Sequence, residues 1–247
     1  MPAGPASLIF AKIAYMEDTR NVIDKFKGRS EAEIVKELDA ADHGLVIALE
    51  NTERDFNMGT IVRSANAFGV RQIYVIGRRQ WNKRGAMMTD KYLHVHYVDS
   101  TTEFVELMRA ENRLIIAIDN IPGSVNMSET TLSERAVLVF GQEGPGISEE
   151  MAQTADKIVA IEQFGSTRSI NVGAAATVAM YCWLQQHVLR WAAQYQAALK
   201  QFFLQIYARK LCVSDNNISS LKLLHQSVIL DYWSFITTLK GSYGKEE

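Results

Sequence analysis

Short, nearly continuous apolar runs alternating with amphipathic helical stretches predict an α/β fold built on a mostly parallel sheet. Three observations carry this. Residues 45–49, 114–118 and 136–140 are apolar without alternation, as strands covered on both faces are. Met58, Ile61, Val62, Ala65 and Phe68 recur at helical spacing and stop at Gly69, a C-terminal helix signal. The two kinds of segment then succeed one another from Gly44 to beyond Asn171.

In chain order, residues 1–43 read as an irregular start followed by a polar helix over 30–41. Ser30 and Glu33 form a capping-box pattern at its head. Strands follow at 45–49, 72–76, 94–98, 114–118, 136–140 and 158–161, with helices at 58–68, 101–110 and 148–155. A basic loop spans residues 77–89. A helix opening near Asn171 runs past His187, and Val188, Trp191, Ala192, Tyr195, Leu199, Phe202, Phe203 and Ile206 keep its spacing. So long a run should bend or break. Asp215, Asn216 and Asn217 mark a loop before a last helix on Leu221, Leu224, Val228, Tyr232, Phe235 and Leu239. The expected organisation is an N-terminal helical extension (1–43), a core domain (44–190) and a C-terminal helical extension (191–247).

The 247 residues carry a formal net charge of −2, with 47% hydrophobic and 22% charged residues, as in globular proteins. Any nucleic-acid contact must therefore come from local positive patches rather than a global basic field. Two cysteines, Cys182 and Cys212, have no zinc-type spacing and define no disulfide framework, so a reducing cytoplasm is the expected compartment. The apolar run at Leu8, Ile9 and Phe10 lacks the flanks of a signal peptide, and no stretch is long enough to cross a membrane.

Three segments carry candidate chemistry. In residues 140–148, Phe-Gly-Gln-Glu-Gly-Pro-Gly-Ile-Ser, a strand ends in a glycine loop and a helix opens. Ligands in open parallel sheets bind beyond the carboxyl ends of strands. The loop lacks the Gly-Lys-Ser/Thr of a P-loop and the dinucleotide GxGxxG. It reads equally as a tight turn with Glu143 solvated. In residues 57–69, Arg63 and Asn66 lie three apart, away from the apolar stripe. Arginine grips phosphate or carboxylate with its planar fork, although a lone arginine on a helix more often faces solvent. In residues 167–180, Thr167, Arg168, Ser169 and Asn171 crowd the mouth of a helix of small residues. Asn171 would also serve as a simple cap.

Together these segments resemble the three motifs of the SpoU-class RNA ribose 2′-O-methyltransferases of the SPOUT superfamily. Asn-x-Gly-x-Ile-x-Arg-x-Ala is present from Asn57 to Ala65, Phe-Gly-x-Glu-x-x-Gly-Ile from Phe140 to Ile147, and Ile161 precedes Ser169, Ile170, Asn171 and Val172. The resemblance covers residues 44–186. It implies a C-terminal trefoil knot, an exception to un-knotted topology. It also implies S-adenosyl-L-methionine as cofactor, RNA (tRNA or rRNA) as substrate, and a homodimer whose site borrows from both subunits. By matched position, Gly141, Ile161, Ser169 and Ile170, with Ile118 added, would hold the cofactor. Arg63 would be the catalytic arginine, with Asn57, Glu143 and Asn171 beside it.

Arginine is a strange base, since its pKa lies above about 12. Holding a phosphate next to the reacting ribose hydroxyl suits it better. RNA contact is expected from Arg78, Arg79, Trp81, Lys83 and Arg84, with the indole available for stacking. Lys25, Lys27 and Arg29 form a smaller basic cluster. His94 and His96 share one strand face and read as edge-strand residues, so no metal is expected. Met87, Met88, Trp191, Phe202, Phe203 and Trp233 are expected to pack. The N-terminal 43 residues are short for a separate RNA-binding domain, which favours tRNA. A non-catalytic RNA-binding homologue is the alternative, against which the intact Arg63, Glu143 and Asn171 speak. An unrelated α/β enzyme for a small anion is the other.

Overall fold

A computed structural model describes residues 18–51 and 57–189 of the chain. The readings of residues 1–17 and 190–247, including Cys212, Trp191, Phe202, Phe203, Trp233 and the helical C-terminal extension, lie outside them. The chain divides into two compact units, Met1–His187 and Val188–Glu247.

The first unit holds helix α1 (Glu31–Ala40), strand β1 (Val46–Asn51), α2 (Met58–Ala67), β2 (Gln72–Gly77), β3 (His94–Val98), α3 (Thr101–Ala110) and β4 (Leu114–Ile118). After these come β5 (Val125–Asn126), β6 (Ala136–Phe140), α4 (Glu149–Thr154), β7 (Lys157–Ala160) and α5 (Val172–Leu184). The strands form one seven-stranded sheet in the order β3-β2-β1-β6-β4-β7-β5. Its pairings are all parallel. That is the sheet the uninterrupted apolar runs called for. Every residue of β1 and β6 is buried, because each has a strand on both sides and helices on its faces. β3 is an edge. His94 and His96 there bond Asp39 and Gln72, at 2.9 and 2.6 Å, which is the edge-strand role expected of them.

The chain crosses the sheet once and returns to insert β6 between β1 and β4. Side chains from both directions meet in one core that includes Val46, Phe104, Met108, Val137, Val139 and Met151. The described part of the N-terminal segment joins this unit. Ser30 and Glu33 form the expected capping box on α1. Ile34 packs with Phe26 and Tyr92, and Asp39 pairs at 2.8 Å with Arg71, a buried cation at the foot of β2.

α5 is nearly all small or apolar on its inner face, where Gly173, Ala176, Ala179, Met180, Trp183 and Leu184 are buried. Ser64 of α2 and Thr177 bond across the helix pair at 2.9 Å. The far end of α5 is tied to the β5–β6 connection. Trp183 donates to the Ser133 carbonyl (2.9 Å), and Gln186 accepts from Leu132 and donates to Thr130. The helix then passes into a single π turn at Gln185–Leu189, so the change of geometry expected of this long run falls there.

Among the described residues, no helix is long and apolar enough to cross a membrane.

Candidate active site

A cavity of about 580 Å³ opens beyond the carboxyl ends of β4, β6 and β7. This is where open parallel sheets hold ligands, and the size lies within the ~300–1,000 Å³ of small-molecule sites. Among the described residues, its wall is made chiefly by three chain segments. Ile118 and the residues after it leave β4, Gly141 to Gly146 leave β6, and Ile161 with residues 168–172 connects β7 to α5.

The glycine loop after β6 has its shape fixed by local bonds. Gln142 and Gly146 exchange both backbone hydrogen bonds at 3.0 Å, closing a tight turn. Gly146 has φ +77°, the left-handed region open to glycine. A Cβ on Gly141 would run into Gly146 and the Ile147 amide, so this position admits no side chain. Two carboxylates brace the loop from outside. Asp119, just after β4, accepts from the Ile147 amide at 2.8 Å. Glu50, buried at the end of β1, accepts from the Ser148 amide (2.8 Å) and hydroxyl (2.6 Å), while Ser148 caps α4. Neither carboxylate stood out in the sequence as a site residue. The available signal was a charged side chain closing an apolar strand run.

The three motif segments meet at the loop. Asn57 donates to Glu143. Asn171 donates to Asn57 Oδ1 at 2.9 Å and to Glu143 Oε1 at 3.3 Å. The opposite end of the Asn171 amide accepts from Gly173 and Ala174, at 2.9 and 3.3 Å, so the same residue also caps α5. Glu143 is therefore held by two amides rather than simply solvated. Gly141, Ile118, Ile161, Ser169 and Ile170, expected as cofactor contacts, all line the cavity, as do Glu143 and Asn171. Arg168 lines it as well, a residue the sequence marked only as polar. Glu162 fixes the start of the third segment. The Ser128 hydroxyl and amide both donate to it, holding its carboxyl below the usual carboxylate range.

Arg63 is exposed on α2 and is not part of the cavity wall. Among the described residues it makes no hydrogen bond or ion pair. Asn66, its neighbour three residues on, has its Oδ1 buried.

The basic segment is ordered by two short 3₁₀ turns, Lys83–Ala86 and Thr89–Tyr92, seated on α2. A Cβ on Gly59 would lie 2.8 Å from the Ala86 nitrogen, so the close seating depends on glycine there. Asn51 donates to the carbonyls of Arg78 and Gln80 and holds the loop to the end of β1. Arg79 pairs with Asp99 at 3.2 Å, and Lys83 with Asp90 at 2.7 Å. The Asp90 bond raises the Lys83 ammonium pKa. Trp81 is half-buried, bonded to the Tyr97 hydroxyl and capped by the Lys83 ammonium. Arg78 and Arg84 are exposed.

One expectation is corrected. Met87 and Met88, read as packing residues, are 52% and 61% exposed, on left-handed backbone (φ 49° and 65°) between the two 3₁₀ turns. The cluster of Lys25, Lys27 and Arg29 is internally engaged. Lys25 and Arg29 pair with Glu37, and Lys27 donates to the carbonyls of Asp18 and Arg20.

Comparison with known proteins fits this geometry. The chain is 24% identical over 169 residues to the tRNA (guanosine(18)-2′-O)-methyltransferase of Borreliella burgdorferi, covering 67% of this chain and 78% of that relative. It is 29% identical over 150 residues to the enzyme of the same name from Aquifex aeolicus, covering 58% and 70%. Among solved structures, the A. aeolicus TrmH/SpoU tRNA modifying enzyme superposes with a TM-score of 0.56 at 26% identity, over 63% of this chain and 83% of that one. A single family description matches residues 44–181, more than half of the chain and the stretch holding all three site segments. On that match the chain belongs to the SpoU rRNA Methylase family.

Proposed function

We propose that this protein transfers a methyl group from S-adenosyl-L-methionine to a ribose 2′-hydroxyl of RNA, with tRNA favoured over rRNA. The observation that carries the reading is the convergence of Asn57, Glu143 and Asn171 at the mouth of one cavity. Support for tRNA comes from the relatives, which are named for guanosine 18 of tRNA.

The residues present fit the cofactor. Gly141 offers bare backbone at the wall, Ile118, Ile161 and Ile170 offer apolar surface for a base, and the cavity volume suits a small molecule. Ser169 adds a hydroxyl at the same wall. When bound, the cofactor supplies a methyl group on a positively charged sulfur, which needs no metal for activation.

The chain's own residues must then orient the hydroxyl and weaken its hold on its proton, which leaves to solvent water as the C–O bond forms and the C–S bond breaks. Glu143, fixed by two amides, presents a carboxylate of set direction at the cavity mouth. Arg63 holds the phosphate beside the target ribose with its planar fork and biases the hydroxyl by field rather than as a base. Because Arg63 stands off the wall of its own cavity, we assign it to a site completed across a homodimer. The exposed Val178 and Tyr181 on α5 supply apolar surface for that contact. A trefoil knot through α5, RNA contact by Arg78, Arg79, Trp81, Lys83 and Arg84, and a cytoplasmic location complete the reading.

The test is to incubate the protein with labelled cofactor and total tRNA or rRNA, then map the methylated position. Arg63→Ala is expected to abolish transfer while cofactor affinity in calorimetry survives. Turnover near wild type would remove Arg63 from the mechanism, and no cofactor binding at all would overturn the reading.

A further inference from the structure

We infer that Arg168 anchors the amino-acid carboxylate of the cofactor. The inference rests on the cofactor reading above and adds a residue that the motif pattern does not include. Among the described residues, three charged side chains line the cavity: Asp119, Glu143 and Arg168. The two acids are already engaged. Asp119 accepts from the amides of Ile147 and Asn120, at 2.8 and 2.7 Å, and Glu143 is held by Asn57 and Asn171. Arg168 makes no hydrogen bond or ion pair with any described residue. The wall thus presents one uncommitted cation beside two committed anions.

The cofactor's charges call for that pattern. Its sulfonium and ammonium are positive and are favoured by the field of two carboxylates. Its carboxylate would be repelled by them and needs a cation of its own. Arginine suits a carboxylate because its fork donates two parallel N–H bonds. Arg168 immediately precedes Ser169 on the segment joining β7 to α5, so it borders the same wall as the proposed backbone contacts. The segment from Phe164 to Asn171 is exposed throughout, so replacing Arg168 removes no buried packing.

The experiment is titration calorimetry of wild type, Arg168→Gln and Arg168→Lys. Each is tested with S-adenosylmethionine, S-adenosylhomocysteine and 5′-methylthioadenosine, which keeps the nucleoside and sulfur but lacks the amino acid. Arg168→Gln should weaken the first two by about 10- to 100-fold, the range of a charge-assisted hydrogen bond, and leave 5′-methylthioadenosine unchanged. Arg168→Lys should recover part of the loss, since the charge remains and the fork does not. Equal weakening of all three ligands overturns the assignment in favour of a general effect on the loop. Unchanged affinity for all three, with weaker RNA binding, overturns it in favour of a phosphate contact. If wild type binds none of the three, the cofactor reading fails and this assignment falls with it.

Discussion

Replacing Gly141 by alanine tests how the cavity wall is held. An added Cβ would overlap the carbonyl carbon and oxygen of Gly146 and the amide nitrogen of Ile147. The overlap exceeds ~1 Å against an ordinary carbon contact of ~3.5 Å. These atoms are all backbone, so no side chain can swing aside and residues 146–147 must move. Such a shift breaks the two 3.0 Å bonds between Gln142 and Gly146 and the 2.8 Å bond from Ile147 to Asp119. At about 1 kcal/mol for each neutral bond and about 1.5–3 for the one accepted by a carboxylate, the gross loss is about 3.5–5 kcal/mol. Partial relaxation should leave about 3 kcal/mol. For a unit of this size that lowers Tm by roughly 6–12 °C. Denaturant unfolding and a thermal melt read the stability, and calorimetry reads the parallel loss of cofactor binding. Gly165→Ala is the control. It sits in the neighbouring segment, has no atom of a described residue within 4 Å of an added Cβ, and should stay within about 0.5 kcal/mol of wild type. A Gly141→Ala protein as stable as that control, with unchanged cofactor affinity, would refute the steric argument.

Charge reversal at Arg79 and Arg84 should weaken RNA binding and lower its salt dependence, with cofactor affinity intact. The slope should fall by ~0.7–0.9 for each phosphate no longer neutralised. Equal RNA binding by filter assay at moderate salt would assign the loop to solvent. Burial raises the Asp39 carboxyl, but the Arg71 and His94 bonds outweigh it and leave its pKa below the usual value. The stabilisation is therefore complete above the unfolded pKa of about 3.9 and is lost as pH falls through the lower folded value. Asp39→Asn should cost about 1–2 kcal/mol at pH 7. That is less than a fully buried pair would lose, because Asp39 is 40% exposed although Arg71 is only 2% exposed. The variant's stability should also fall less steeply below about pH 4. Unfolding curves that coincide with wild type at both pH values would remove the pair from the account.

The strands and helices were legible wherever the apolar pattern was dense. The limits of β3, α3, β4 and β6 fall on residues 94–98, 101–110, 114–118 and 136–140, as the pattern predicts. β5 was not legible, because its two residues are exposed and owe their structure to backbone pairing with β7. Met87 and Met88 misled because composition reports hydrophobicity and not whether a loop places a side chain against the core or in solvent. The meeting of the motif segments was expected from resemblance, but the braces were not. Glu50 and Ser148 are 98 residues apart, and nothing local to either predicts their bond. Likewise, the basic character of residues 25–29 was visible while its acidic partner Glu37 belonged to another element.

Asn171 is placed to serve the fold and the candidate site together, and substitution can separate the two roles. Its Oδ1 caps α5 through Gly173 and Ala174, while its Nδ2 bonds Asn57 and Glu143. An aspartate in its place would keep the capping oxygen and suit the helix dipole, but it would set an acceptor against Asn57 Oδ1 and a negative charge against Glu143. Serine would keep a cap and be too short for the network. If capping were the whole role, Asn171→Asp and Asn171→Ser should both unfold within about 0.5 kcal/mol of wild type and keep their activity. The double role predicts otherwise. Asn171→Ser should stay near wild-type stability with a much reduced turnover, since Glu143 loses one of the amides that direct it. Asn171→Asp should lose turnover and also about 1 kcal/mol or more of stability, most of it restored by adding Glu143→Gln, which removes the repulsion. Failure of that second substitution to restore stability would show that Asn171 and Glu143 do not act on one another.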